Sequence, residues 1–116
     1  RQLRDSDHHR IFIAALEAKP VGMTRFDKAD TGNAIVSAYL DPSLTGRGIG
    51  PQMIRNATEN ILECWLSIKG VDAEILEDNK TGQRGFAKAG YKKQETRPQE
   101  GHILYTFSRS DDESDA

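Results

Sequence analysis

Cysteine is almost absent from this chain: Cys64 is the single one among 116 residues. An intramolecular disulfide and a cysteine zinc cage are therefore excluded, no metal site is expected, and the reading is a reducing, cytoplasmic setting. Long hydrophobic runs are missing as well. Segments such as residues 11–16 fall far short of the ~20 residues a membrane span needs, so no membrane partner is expected. Nor is there an excess of basic charge. The 16 Lys and Arg stand against 18 Asp and Glu, a net charge of −2, which is not the footprint of a nucleic-acid binder.

What is present is enough for one small folded domain: 36% of the residues are hydrophobic and 29% charged. Four of the eighteen acids fall in the last nine residues. Residues 109–116 are accordingly expected to be a solvated acidic tail. Residues 10–108 are expected to hold the folded domain, with residues 1–9 a short remnant before it. The first residue is Arg1 rather than Met, which suggests a fragment, a processed product, or part of something longer.

Residues 10–17 are short, β-branched and apolar and are predicted to form a strand. In residues 21–27, Val21, Met23 and Arg25 alternate with Gly22, Thr24 and Phe26. These two segments must pair antiparallel, since a parallel return needs a crossover of about a dozen residues. Residues 34–40 are apolar on both faces and read as a central strand. After a glycine-rich turn, Pro51 suits the opening of a helix. Ile54, Ala57, Ile61, Trp65 and Ile68 then give one apolar stripe, predicting a helix to about residue 69 with Gly70 as its stop. Residues 71–76 form a fourth strand, parallel to the third by a right-handed crossover. Asn79 is placed to cap a second helix over residues 80–89, weakened by Gly82 and Gly85 at about 1 kcal/mol each and stopped by Gly90. Residues 91–95 and 102–108 close the chain as a strand pair. The fold class is thus α/β: a mixed central sheet with an antiparallel meander, a βαβ crossover and a second short helix.

The strand-to-helix turn Gly46-Arg47-Gly48-Ile49-Gly50 is the strongest chemical signal. A helix N-terminus offers free N–H groups and about half a positive charge, and glycines let a pyrophosphate approach the backbone. A Walker loop is excluded, because no Gly-Lys-Ser/Thr follows. A dinucleotide site wants a Gly-x-Gly-x-x-Gly spacing and an acid at the tip of the next strand. Here the last gap is one residue, and Asp72 and Glu74 lie at the start and middle of that strand. A glycine turn without a ligand also stays open.

The stretch Tyr39-Leu40-Asp41-Pro42-Ser43-Leu44-Thr45-Gly46-Arg47-Gly48-Ile49-Gly50 resembles the acetyl-CoA pyrophosphate loop of the GNAT N-acetyltransferase superfamily. A second block, Glu77-Asp78-Asn79 followed by Gly85-Phe86-Ala87-Lys88-Ala89-Gly90-Tyr91, resembles that family's Asn-led helix and its glycine–aromatic stop. The resemblance spans residues 10–107 in order and spacing. It implies acetyl-CoA as cosubstrate, held by backbone amides of Arg47, Gly48, Ile49, Gly50 and Gln52 around Gly46. Thr45 stands where relatives carry Gln or Arg. It further implies that two parallel strands splay apart, so that the backbone near Tyr39 and Leu40 meets the pantetheine arm. Asn79, Phe86 and Lys88 would then flank the cofactor.

The implied reaction is direct attack of a primary amine on the acetyl thioester, the acceptor being a small molecule or a peptide. A non-catalytic CoA-binding domain of the same fold is the alternative. Many relatives place a tyrosine acid at the position of Phe86 and a glutamate base at that of Ile35, so neither role carries over. Ser37, Tyr39 and Glu74 are the candidate substitutes. The family's usual first strand and helices have no counterpart ahead of residue 10, and a second copy or a preceding domain is expected to complete the fold. His8, His9, His102 and Cys64 are given no site role, and Cys64 is expected to be buried and inert.

Overall fold

The structure is a computed structural model and describes residues 2–5, 8–44 and 46–109. In chain order its elements are strands β1 (Gln2–Asp5), β2 (His9–Leu16), β3 (Lys19–Lys28) and β4 (Ala34–Leu40), helix α1 (Ile49–Cys64), strand β5 (Gly70–Leu76), helix α2 (Lys80–Lys88), and strands β6 (Lys92–Lys93) and β7 (His102–Ser108). The strands form one mixed sheet in the order β1-β2-β3-β4-β5-β7-β6, with β4 at its centre. Every neighbouring pair is antiparallel except β4 with β5, the pair joined through α1. The predicted meander, crossover and second helix are all present.

Strand alternation decides which side chains meet the helices. Phe26 of β3, Ala34 and Val36 of β4, and Val71, Ala73 and Ile75 of β5 form one buried cluster with Ile54, Ala57, Ile61 and Leu62 of α1 and Phe86 of α2. Both helices lie on this face, α1 against β3 and α2 against β5 and β7. The intervening residues Met23, Arg25, Ile35, Ser37, Tyr39, Asp72, Glu74 and Leu76 point to the other face. Among the described residues no helix covers it.

Five expectations need correction. Residues 1–9 are more than a remnant, since Gln2–Asp5 pair with β2 and His9 opens that strand. Helix α1 ends at Cys64 rather than near residue 69, because Trp65 leaves helical geometry at φ −112° and ψ 81°. Trp65 and Ile68 remain buried, but on a turn closed by the Ile68 N–H donating to the Trp65 carbonyl at 3.2 Å. Cys64, expected to be buried, is exposed. Arg109, assigned to the tail, is tied down: its guanidinium donates to the carbonyls of Trp65 and Ile68 at 2.9–3.0 Å. These cationic donors hold the carbonyls of the turn that follows the helix, one of which, that of Trp65, also accepts from Ile68. Residues 110–116 of the expected tail lie outside the described residues. The last strand pair is also shorter than predicted, β6 spanning Lys92–Lys93 alone, because Tyr91 turns inward onto Phe86 and Phe107.

Two buried polar groups have consequences that can be measured. Thr24 is fully buried beneath α1 and its hydroxyl finds no partner among the described residues. A buried, unsatisfied hydroxyl costs roughly 1–3 kcal/mol. Thr24→Val is therefore expected to stabilise the fold by about 1 kcal/mol, seen as a higher urea midpoint at unchanged slope. A lower midpoint would contradict this. The Tyr91 hydroxyl instead shares a buried 2.7 Å hydrogen bond with Thr58. Burial pushes the Tyr91 phenol well above its ordinary range, and the Thr58 bond offsets only part of that. In the unfolded chain this phenol loses its proton near pH 10, whereas in the native state it keeps it. Above about pH 10 the unfolded state then binds fewer protons, so stability falls as pH rises. Tyr91→Phe should flatten that alkaline slope in denaturant titrations.

Candidate functional site

The parallel pair β4 and β5 is joined over only two positions, Ala34 with Val71 and Ile35 with Asp72. Beyond them β4 stays paired with β3 as far as Leu40, and β5 with β7 as far as Leu76. The sheet therefore splits at its centre into a V. A cleft of about 530 Å³ opens there, lined by Ser37, Tyr39 and Leu40 of β4, Glu74 and Leu76 of β5, Gly46, Gly50 and Pro51 at the head of α1, and Asn79 and Phe86 at α2.

Local sequence shapes each wall. After β4, the Asp41 carboxylate accepts from the Ser43 N–H and the Ser43 hydroxyl, both at 3.0 Å. These bonds, the backbone one foremost, hold the Asp41 carboxyl below its ordinary range, and they tighten the turn at Pro42–Leu44. Gly46 and Gly48 then adopt φ of 87° and 79°, a left-handed backbone that glycine takes without a steric penalty. Gly48 is the N-cap of α1. It supplies no side-chain cap, and the first turn of the helix contains no acid. The helix thus meets the cleft with N–H groups that no described side chain caps and with a positive dipole end whose first turn holds no acid. The Gln52 N–H donates to the Gly48 carbonyl at 3.4 Å, the first bond of the helix, and Pro51 has no N–H. The donors that turn leaves for an anion precede Pro51, at Ile49 and Gly50 and in the loop before them.

On the opposite wall, the Asn79 side chain accepts from the Gly82 N–H at 2.9 Å and caps α2. Gln83 donates to the carbonyls of Leu76 and Glu77 at 3.3 and 2.8 Å, fixing α2 to the end of β5. Glu74 is exposed on β5, and Gln99 donates to its carboxylate at 3.4 Å. Phe86 is buried edge-on against Tyr91, the ring centroids 5.0 Å apart.

Of the residues singled out from sequence, Ser37, Tyr39, Leu40, Gly46, Gly50, Glu74, Asn79 and Phe86 line this one cleft. Arg47, Gly48, Ile49 and Gln52 sit in the turn and first helical residues beside it, with the Gln52 side chain directed to Asn56 at 3.4 Å. Lys88 is exposed in the last turn of α2, away from the lining. Thr45 lies outside the described residues. Sequence reasoning missed Leu76, Met53, Thr81 and Gly85, which also line the cleft. A signal was there for two of them: Leu76 follows Glu74 at strand period, and Gly85 shares a helical face with Gly82 and Phe86. Among the described residues no group of three or more His, Cys, Asp or Glu is arranged to hold a metal, and no helix is long and apolar enough to cross a membrane.

The model of the acetyltransferase (GNAT) family matches residues 1–91, and the chain belongs to that family. Among solved structures, the GNAT domain of S. lividans PAT superposes with a TM-score of 0.80 at 18% identity, covering 92% of this chain and 64% of that one. An aminoglycoside acetyltransferase AAC(6')-Ib in complex with coenzyme A follows at TM-score 0.77 and 19% identity, covering 95% and 72%. The Campylobacter jejuni N-acetyltransferase PseH in complex with acetyl coenzyme A gives 0.73 and 14%, covering 91% and 71%. The chain thus spans about two thirds of the length of these structures. None of the curated proteins matches it by sequence.

Proposed function

We propose that this chain is an acetyl-CoA-dependent N-acetyltransferase domain that acylates a primary amine. The observation that carries the reading is the early end of the β4–β5 pairing directly over an uncapped, acid-free helix N-terminus. Relatives of the same fold bound to coenzyme A or acetyl coenzyme A support it. The residues fit such a group. Gly46 and Gly50 line the cleft without side chains, and the edge of β4 facing the split has backbone groups left unpaired by β5.

In this reading N–H groups from Gly46 to Gly50 hold the pyrophosphate, and the Arg47 guanidinium adds a cation at the rim. The free edge of β4 at Tyr39 and Leu40 binds the amide arm, flanked by Asn79 and Phe86. Acetyl-CoA supplies an activated acyl group at the split. The neutral amine of the acceptor attacks the carbonyl carbon, a C–N bond forms, and the C–S bond breaks with its electron pair going to sulfur. The proton that the nitrogen must lose is taken by Glu74, or relayed by Ser37 and Tyr39, through water. Phe86 has no proton to offer a leaving thiolate, whose basicity in the ordinary thiol range makes a strong acid unnecessary.

Thiol release from acetyl-CoA, followed across a panel of primary amines, tests the reading. Amine-dependent release is expected. Binding without release for every amine would favour a non-catalytic CoA-binding domain, the second reading, to which Phe86 and Ile35 lend weight because neither side chain can act as acid or base.

A further inference from the structure

We infer that the acceptor is a singly charged amine carried on an apolar or aromatic body, gripped by Glu74 at its nitrogen and by Tyr39 and Leu76 at its body. This rests on the acetyl-transfer reading above. The pairing of Ile35 with Asp72, carried forward past the last joined position, sets Ser37 across the split from Glu74 and Tyr39 across from Leu76. By strand alternation all four lie on the face of the sheet opposite both helices, and all four line the cleft. A polar pair therefore stands nearest the vertex. An apolar pair stands two residues farther out, about 7 Å at the rise of an extended strand.

Exposure and charge give this layout its meaning. Tyr39 and Leu76 are 58% and 53% exposed, two of the four large hydrophobic side chains open to solvent among the described residues, and they flank one opening. Large apolar groups left exposed on both sides of a cleft mark a surface that something apolar covers. Among the described lining residues, Glu74 alone carries a formal charge. Its contact is the neutral Gln99 amide, and no described cation pairs with it. One carboxylate suits one ammonium. A polyamine or an amino sugar with several ammonium groups would find no second acid in the cleft. An acceptor bearing its own carboxylate would meet Glu74 with no cation in the described lining to answer it. The layout selects a monoamine with a ring or branched chain about 7 Å from its nitrogen.

The test begins by titrating coenzyme A into the protein by calorimetry, and continues by titrating 2-phenylethylamine, spermidine and kanamycin into the CoA-saturated protein. Thiol release is then measured with the same three amines. The expected result is that 2-phenylethylamine binds, and that its kcat/KM exceeds those of spermidine and kanamycin by about tenfold or more. Glu74→Gln and Leu76→Ser should each raise its KM about tenfold while leaving the KM for acetyl-CoA within about twofold. If spermidine or kanamycin matches or exceeds it, or the variants raise the KM for acetyl-CoA instead, the inference is overturned while the acetyl-transfer reading stands. Coenzyme A binding with neither binding nor turnover of 2-phenylethylamine also overturns it. No binding of coenzyme A to folded protein would overturn both.

Discussion

Gly50→Val should lower coenzyme A affinity about a hundredfold while leaving the fold intact. Gly50 lies in the first turn of α1 and lines the cleft. Its backbone is helical rather than left-handed, so valine escapes the positive-φ strain, and its cost there is the crowding of its Cβ against the Pro51 ring that follows, which disfavours helical geometry. Beyond its chain neighbours, a Cβ at this position would touch only Leu40 Cδ2, at 3.4 Å, an ordinary contact. What changes is access: the branched side chain stands over the N–H groups that an approaching diphosphate must reach. Losing two charge-assisted hydrogen bonds at about 1.5 kcal/mol each is about 3 kcal/mol, near a hundredfold in affinity. Gly48→Val is a poorer test, because φ of 79° strains any branched residue and confuses folding with binding. Unchanged affinity in folded Gly50→Val protein would remove the helix N-terminus from the site.

Phe26→Ala should cost about 3–5 kcal/mol of stability. Phe26 is fully buried near the C-terminal end of β3, edge-on to Phe12 of β2 at 5.9 Å, and belongs to the cluster under α1. Truncation loses both the transfer energy of the ring and the contacts around the cavity it leaves. It also removes the one large side chain by which β3 meets α1 in that cluster. Chemical denaturation measures the loss. A cost below about 1 kcal/mol would mean that the core is more plastic than this packing indicates.

The sequence made β4 readable to the residue, because a segment apolar on both faces has few places to go but the middle of a sheet. It misled at the end of α1. Trp65 and Ile68 continue the spacing of three and four that Ile54, Ala57 and Ile61 begin, and a buried turn satisfies the same spacing as a helix. What pins that turn from outside is Arg109, forty-four positions away from Trp65, and no local pattern announces so distant a partner. The misplaced Cys64 follows from the same error. It was assigned to the apolar side of a helix thought to continue, and it stands instead at the exposed last residue. The site was legible in two different ways. The glycine turn declares its own chemistry through backbone geometry. The split between β4 and β5 depends on how far two distant strands stay paired, which is a tertiary outcome, and only the family resemblance pointed to it. Leu76 was missed because its hydrophobicity looked like ordinary strand composition until Tyr39 stood opposite.

Calorimetric titration of the unmodified protein with coenzyme A tests the central claim most directly, namely that the glycine-capped head of α1 and the split sheet form a diphosphate-bearing thiol's binding site. The account predicts one-site binding with a Kd of about micromolar order, near 8 kcal/mol. A folded sample that gives no binding heat with ligand at about millimolar concentration, where even 4 kcal/mol of affinity would register, would contradict it.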